Sequence, residues 1–579
     1  MPSRIACVGS LAEGGSIPET TPSATKTRCL HALLKLEDGW NRIQVGRQGS
    51  YSVERLESLD HYCKTTSPTR VLLVCILTPV PALTFALLLE CLPLRPPSEG
   101  WAANWMFWVR LSVMVLGLTF VGVSELILFL PNLNFTNNKR IIVTIGATIP
   151  YVGTCIIAAK FGGFPVPFVW QYGGMTLVIY IAAMTLLVFG RQPFAKNSSS
   201  RRDFRRFLYH LFAYCAMVGI FPLFETIYRI VPEQYRVIAL VVLPIWKLGA
   251  KHFVIRVTYE LEDFIPEMVA FTVDFFSALF VSVCISSGGS IHLSMLFIAA
   301  DVAQVVIEFQ EVRTNAKTVL KLLQCQLKPT FQHQRDLTEK VSISNNLVEM
   351  LLAVTRNPKA FHVVLMRDIR LWACLPHPLT EDRANKLKLL RTSGVYAGRR
   401  VLSRRRTSRF RPYRQWFAPR IVQEPSVVPI RCETSTHFSA IQNDLGDFSQ
   451  TFVRQGLQLL FHCEYLLLVE YVECIVPVIF ATYKSVLECL PNIIYYPGGA
   501  GHWSHSALIN IFVFTSLEIA SLMLLHRFLH RNFALSSLYQ LAFVLEAQMY
   551  PIQATIFLEI VNLLQYKLEH LGESVCYSI

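Results

Sequence analysis

A chain of 579 residues that is 52% hydrophobic and 16% charged falls well short of the roughly 25% charge of soluble domains, and mean hydropathy is +0.39. Net charge is +14, but 13 Lys/Arg and no Asp/Glu lie between Arg383 and Arg420, so the excess is local and not the footprint of a basic nucleic-acid-binding fold. Fifteen cysteines scattered singly, with no CxxC, exclude a disulfide scaffold or zinc ribbon; those inside apolar runs act as small hydrophobes.

The N-terminus (MPSRIACVGSLAEGG) has no apolar stretch of signal-peptide type, and residues 1–30 have the Ser/Thr/Gly/Pro-rich composition of a disordered segment. Ser52 ahead of Val-Glu-Arg-Leu-Glu reads as the N-cap of a short helix within a cytosolic region, 1–70. Apolar runs of membrane-crossing length follow. They are Val71–Leu92, bent by Pro79 and Pro81, then Trp105–Leu130, Ile141–Ala159, Val166–Phe189, Phe207–Phe224, Val237–Ala250, Glu267–Ile285 and Ile291–Glu308. After an insert, 310–455, come Tyr465–Tyr483, Ala507–Leu525 and Tyr550–Leu564, with Leu538–Ala547 patterned as an amphipathic helix at the interface. The expected fold class is all-α: a polytopic integral membrane protein with about 11 transmembrane helices, in an 8+3 layout around a cytosolic insert.

Orientation follows from Lys/Arg in short loops. Lys139–Arg140, Arg201–Arg206, Lys247–Arg256 and His526–Arg531 share a side with the basic insert, whereas Ser286–Ser290 and Pro497–His505 are free of charge. The N-terminus and the insert are therefore expected in the cytosol. The insert begins as helix over Val312–Leu323 and Asn345–Val354. From Arg383 onward like charges without apolar period predict loss of order.

Carboxylates inside spans cost about 2.5–3.5 kcal/mol on insertion scales and are functional candidates for that reason. Folding spans seven and eight about Gly288–Gly289 sets Asp274 and Asp301 at nearly one depth. Glu470 and Glu473 are i,i+3 neighbours, and folding spans nine and ten about Tyr495 sets Glu518 level with position 472. Acids at matched depth cannot all ionise, so they would share protons, which is the chemistry of a proton- or cation-linked carrier. The competing reading is structural, with the acids satisfied by neighbours and Lys247 or Lys251 pairing with Asp274; Arg110 is expected to snorkel outward.

The second candidate is the polybasic stretch with Arg399, Arg400, Arg404, Arg405, Arg406, Arg409, Arg411 and Arg414, suited to anionic lipid head groups at the cytosolic leaflet. A membrane scaffold or signalling protein acting through it is the alternative to a transporter. No Walker A, HExxH, GxSxG or kinase signature occurs, and the histidine pairs His526/His530 and His502/His505 fall on opposite sides, so no metal site or cofactor is read and an enzyme ranks third. The bilayer is the one certain partner class.

The segments VLPIWKLGAK (242–251), DFIPEMVAFTVDFFSALFVS (263–282), CEYLLLVEYVECIVPVIFATY (463–483) and SLEIASLMLLHRFLHRNFALSSLYQLAFVLE (516–546) resemble a large family of uncharacterised multi-pass transmembrane proteins of oomycetes. That resemblance implies a membrane location and a two-block layout; it carries over no activity and no functional residue.

Overall fold

The computed structural model describes residues 44–571 apart from 132, 134, 167–168, 197, 233–234, 236–238, 287–290, 323–345, 376, 378, 397–437 and 502. Within helices, the side chains of 170–172, 218–223, 225–230, 239–241, 291–294, 297, 301 and 438–445 also lie outside the description. Among the described residues every regular element is helical.

Helix α1 (Val53–Thr65) begins where the sequence places it: the Ser52 hydroxyl accepts from the Arg55 backbone N–H at 3.2 Å. Ser67 caps α2 (Pro68–Leu77), with Pro68 at the first helical position, and Pro79 ends that helix before α3 (Val80–Glu90). The helix is interrupted at Thr78–Pro79, and α2 and α3 together still make one span, Pro68–Glu90. Next come α4 (Trp105–Phe129), α5 (Asn137–Gly162), α6 (Val169–Phe189), α7 (Ser199–Ile230) and α8 (Ala239–Val257). The following rod is short α9 (Ile265–Val269), a π-helical turn (Ala270–Asp274) and α10 (Phe275–Ser286); α11 (Ile291–Leu322) succeeds it. Beyond α12 (Leu347–Arg356) and α13 (Glu381–Thr392) runs the 50-residue α14 (Phe438–Leu487), then α15 (His505–Phe533), α16 (Ser537–Ala547) and α17 (Met549–Gln565).

All eleven expected spans fall on helix. Six described helices are long and apolar enough to cross a membrane, and seven if α16 and α17, bent by 84°, count as one broken span. Eleven crossings in an 8+3 layout go beyond that measure; α8, for example, carries Lys247, Lys251 and Arg256 in 19 residues. The protein is a multi-pass helical membrane protein.

Burial separates centre from periphery. The rod Glu262–Ser286 is 94% buried in its apolar window, against 28% for α2–α3 and for α15. Helix α14 wraps the rod and packs against α15, α10 and α11, while α17 packs on α4, α3 and α7. Leu72, Leu73 and Ile76 of α2 and Ile509, Phe512 and Val513 of α15 point outward, as lipid-facing residues do.

The insert does not stand apart. The backbone N–H groups of Val53 and Glu54 donate to Arg370 and Leu371 carbonyls at 3.0 Å each. Arg356 forks onto Glu57 at 2.5–2.6 Å, and Arg383 reaches Glu57 and Asp60 at 3.1 and 3.2 Å. Order expected to fail at Arg383 therefore persists through α13 to Tyr396, whose hydroxyl donates to the Thr355 carbonyl at 2.7 Å. The charge of Arg383 is met by acids of α1 far away in sequence, so repulsion does not decide there. Helix α16 packs against α1, α2 and α14, and Gln540–Leu545 are buried on all sides.

Candidate functional site

Five elements meet in a buried charge network. Lys247 and Lys251 are i,i+4 on α8 and so share a face. Both ammonium groups lie 2.9 Å from Asp274 Oδ1, and Lys251 also donates to the Tyr465 hydroxyl at 2.6 Å. Asp274 is fully buried at the end of the π turn, whose extra residue per turn re-aims the side chains after it. Lys247 extends the network to Glu473 of α14 at 3.5 Å. Glu473 in turn joins Glu470 and Glu518, the three offering carboxylate oxygens all within 4.8 Å of one another, every residue buried. Helix α11 adds Glu308, which acts electrostatically on both lysines.

The structure thus brings Glu470, Glu473 and Glu518 together, at the depth expected from folding the chain about Tyr495. It gives Asp274 the lysine partners of the structural reading. Asp301 lies on α11, but its side chain is outside the described residues, as are Arg399, Arg400, Arg404, Arg405, Arg406, Arg409, Arg411 and Arg414; the match of Asp301 to Asp274 stays an expectation.

Carboxyls crowd the network: Asp274, Glu308, Glu470, Glu473 and Glu518 gather near Lys247 and Lys251. Buried carboxylates held this close cannot all ionise cheaply, so they share protons or a cation.

Several buried groups escaped the sequence reading. Arg55 pairs with Glu267 and Glu464 at 2.7 Å each and donates to the Asp263 carbonyl. Tyr51 donates to Glu464 and accepts from Gln540 at 3.1 Å. Burial works against the Arg55 charge, but Glu464 and then Glu267 outweigh it and hold the guanidinium pKa well above its ordinary value. Glu464 falls one residue before the apolar run expected at Tyr465, so it was not counted as intramembrane. Arg110 does not snorkel: it is 2% exposed and forks onto Glu90 at 2.5 and 3.0 Å. Glu90 also accepts from the hydroxyls of Tyr483 (2.7 Å) and Tyr496 (2.8 Å). A cation and an acid twenty residues apart, at the adjoining ends of two consecutive helices, was the available signal. Glu125 is bound by His210, and His526, expected to lack metal partners, is hydrogen-bonded to Ser537 at 2.5 Å.

No family model, curated protein or solved structure matches the chain.

Proposed function

We propose that the protein is a proton- or cation-linked membrane transporter whose coupling site is the network of Asp274, Glu470, Glu473 and Glu518 around Lys247 and Lys251. The observation that carries this reading is the close approach of three buried carboxyls, Glu470, Glu473 and Glu518, with oxygens within 4.8 Å of one another. Acids this close share exchangeable protons or a cation, and helix movements that change access would release them on the other side. A Lys247 held between Asp274 and Glu473 can lean toward either as the load changes. Asp301 belongs to the same proposal, as do a cytosolic N-terminus and insert. So does the likeness to the oomycete family, which carries over no functional residue.

The test is flux into proteoliposomes carrying an internal pH dye under an imposed proton or cation gradient. Protein-dependent flux that Glu473→Gln and Glu518→Gln abolish, with the fold intact, supports the reading; flux unchanged in both variants refutes it.

A scaffold or signalling role has its own observation. The folded part of the insert, tied to α1 through Arg356 and Arg383, leads directly into the eight-arginine stretch. Binding of the reconstituted full chain to vesicles containing anionic lipid, no stronger than to neutral ones, would remove that role.

A further inference from the structure

Helix α17 carries a polar stripe through an apolar setting. Thr555, Glu559 and Asn562 stand at i, i+4 and i+7, on one face. All are buried, with Glu559 at 0% exposure and Asn562 at 3%. Both carboxylate oxygens of Glu559 and Oδ1 of Asn562 lack a hydrogen-bond partner among the described residues.

Helix α4 runs antiparallel alongside. Phe107 stacks on His570 with ring centroids 5.7 Å apart, and counting residue for residue from that contact sets Thr119 level with about position 558. Thr119 is 1% exposed, and its hydroxyl also lacks a partner among the described residues. Four orphaned oxygens thus belong to two packed helices, at levels that the count brings close.

No described cation is at hand to satisfy them. Glu125 of α4 is taken by His210 of α7, and Tyr214 of α7 by Thr555. Glu90 of α3 holds Arg110, Asp274 of the π turn holds Lys247 and Lys251, Glu267 holds Arg55, and Glu546 of α16 is bound by Arg70 and Tyr62. Cys284 is the one titratable group on α10.

We propose that Glu559, Asn562 and Thr119 form a second site, separate from the network of α8 and α14, for one monovalent cation: a proton, or a sodium ion in its place. A single carboxylate among neutral oxygens balances one positive charge. A divalent ion would leave a buried net charge behind. Amide, hydroxyl and carboxylate oxygens are hard ligands of the kind that hold such cations.

Infrared difference spectroscopy of reconstituted full-length protein, wild type against Glu559→Gln, tests this without a reagent having to reach the site. In choline buffer at neutral pH the wild type should show one protonated-carboxyl band per chain that the variant lacks. Loss of that band on replacing choline by sodium, with a carboxylate band gained, identifies sodium as an occupant; an unchanged band identifies the proton alone. A Glu559 carboxylate band already present in choline buffer means the side chain is ionised without a cation and overturns the proposal. Should Glu559→Gln fail to fold, Glu559→Asp replaces it, because the assigned band then shifts instead of vanishing.

Discussion

Replacing Asp274 by Asn removes the anion shared by two buried ammonium groups while keeping shape and volume. Lys247 retains Glu473 at 3.5 Å, and Lys251 retains the attraction of Glu308 beside the Tyr465 hydroxyl at 2.6 Å. Removing one partner of a buried ion pair costs about 3–5 kcal/mol, chiefly because the other charge stays buried. Asp274→Asn should therefore lower unfolding free energy in detergent by about 3–5 kcal/mol. Adding Lys251→Met or Lys247→Met should each recover part of the loss. A denaturant titration at neutral pH on the four proteins gives the comparison. A single variant within about 1 kcal/mol of wild type, or no rescue by Lys251→Met, would show that the lysines do not depend on Asp274 and would refute the network as drawn.

Gly446 on α14 faces the His362 backbone carbonyl, which a Cβ would meet at 2.4 Å; Gly446→Ala should cost about 1–3 kcal/mol, because backbone cannot step aside as a side chain can. Gly153, inside α5 with open space around it, is the control: Gly153→Ala should leave stability equal or higher by about 0.5–1 kcal/mol in the same titration. Arg370 pairs with Asp263 at 2.8 Å and donates to the Ser50 carbonyl, so Arg370→Ala should loosen the insert from the start of the rod and from the segment before α1, and speed proteolytic cleavage within 346–396; unchanged cleavage would show the contact to be incidental. Burial, reinforced by Arg110 and opposed by the bond to the Arg95 carbonyl, holds His570 down at about 4. The unfolded imidazole protonates near 6.5 and the folded one does not, so this stability is present at neutral pH and lost as pH falls from 6.5 to about 4, up to about 3 kcal/mol. His570→Phe should flatten the melting temperature over that range, and an equal slope in both proteins would contradict it.

The helices were legible because each apolar run is long and bounded by charge or proline, and Ser52 and Pro79 act through local chemistry that needs no tertiary context. The triad was legible for a related reason: Glu470 and Glu473 share a helical face, and a short hairpin fixes which residue of the next helix arrives at their depth. The π turn was not, since Ala270–Asp274 reads as ordinary helix and its register follows from packing on α14 and α8. The clasp of 346–396 on α1 escaped because Glu57–Arg356 and Glu57–Arg383 join residues about 300 apart, and composition registers charge without saying where it is met. Glu559 escaped because an isolated acid in an apolar run has no spacing to measure; its interest lies in which atoms do not reach it.

Positions along α14 separate charge that holds the fold from charge that serves another purpose. Glu464 and Tyr483 are 19 residues apart, about 28 Å of helix, close to the thickness of a hydrocarbon core. At the first, Glu464 closes on Arg55; at the second, Tyr483 closes on Glu90 and Arg110. Both end clusters set acid against guanidinium. Between them, Glu470, Glu473 and Glu518 set acid against acid, with carboxylate oxygens within 4.8 Å of one another. Replacing buried charge by apolar side chains of similar size is commonly neutral or stabilising when no opposite charge is stranded, and strongly destabilising when one is. Glu518→Met removes one of three mutually close carboxyls and should leave unfolding free energy unchanged or raised, whereas Glu90→Met strands Arg110 and should cost about 3–5 kcal/mol. Equal losses in the two variants would mean that the central acids hold the fold as the end clusters do. A neutral Glu518→Met that also loses flux would instead locate the clustered carboxyls in function, at a position where the fold has no need of a charge.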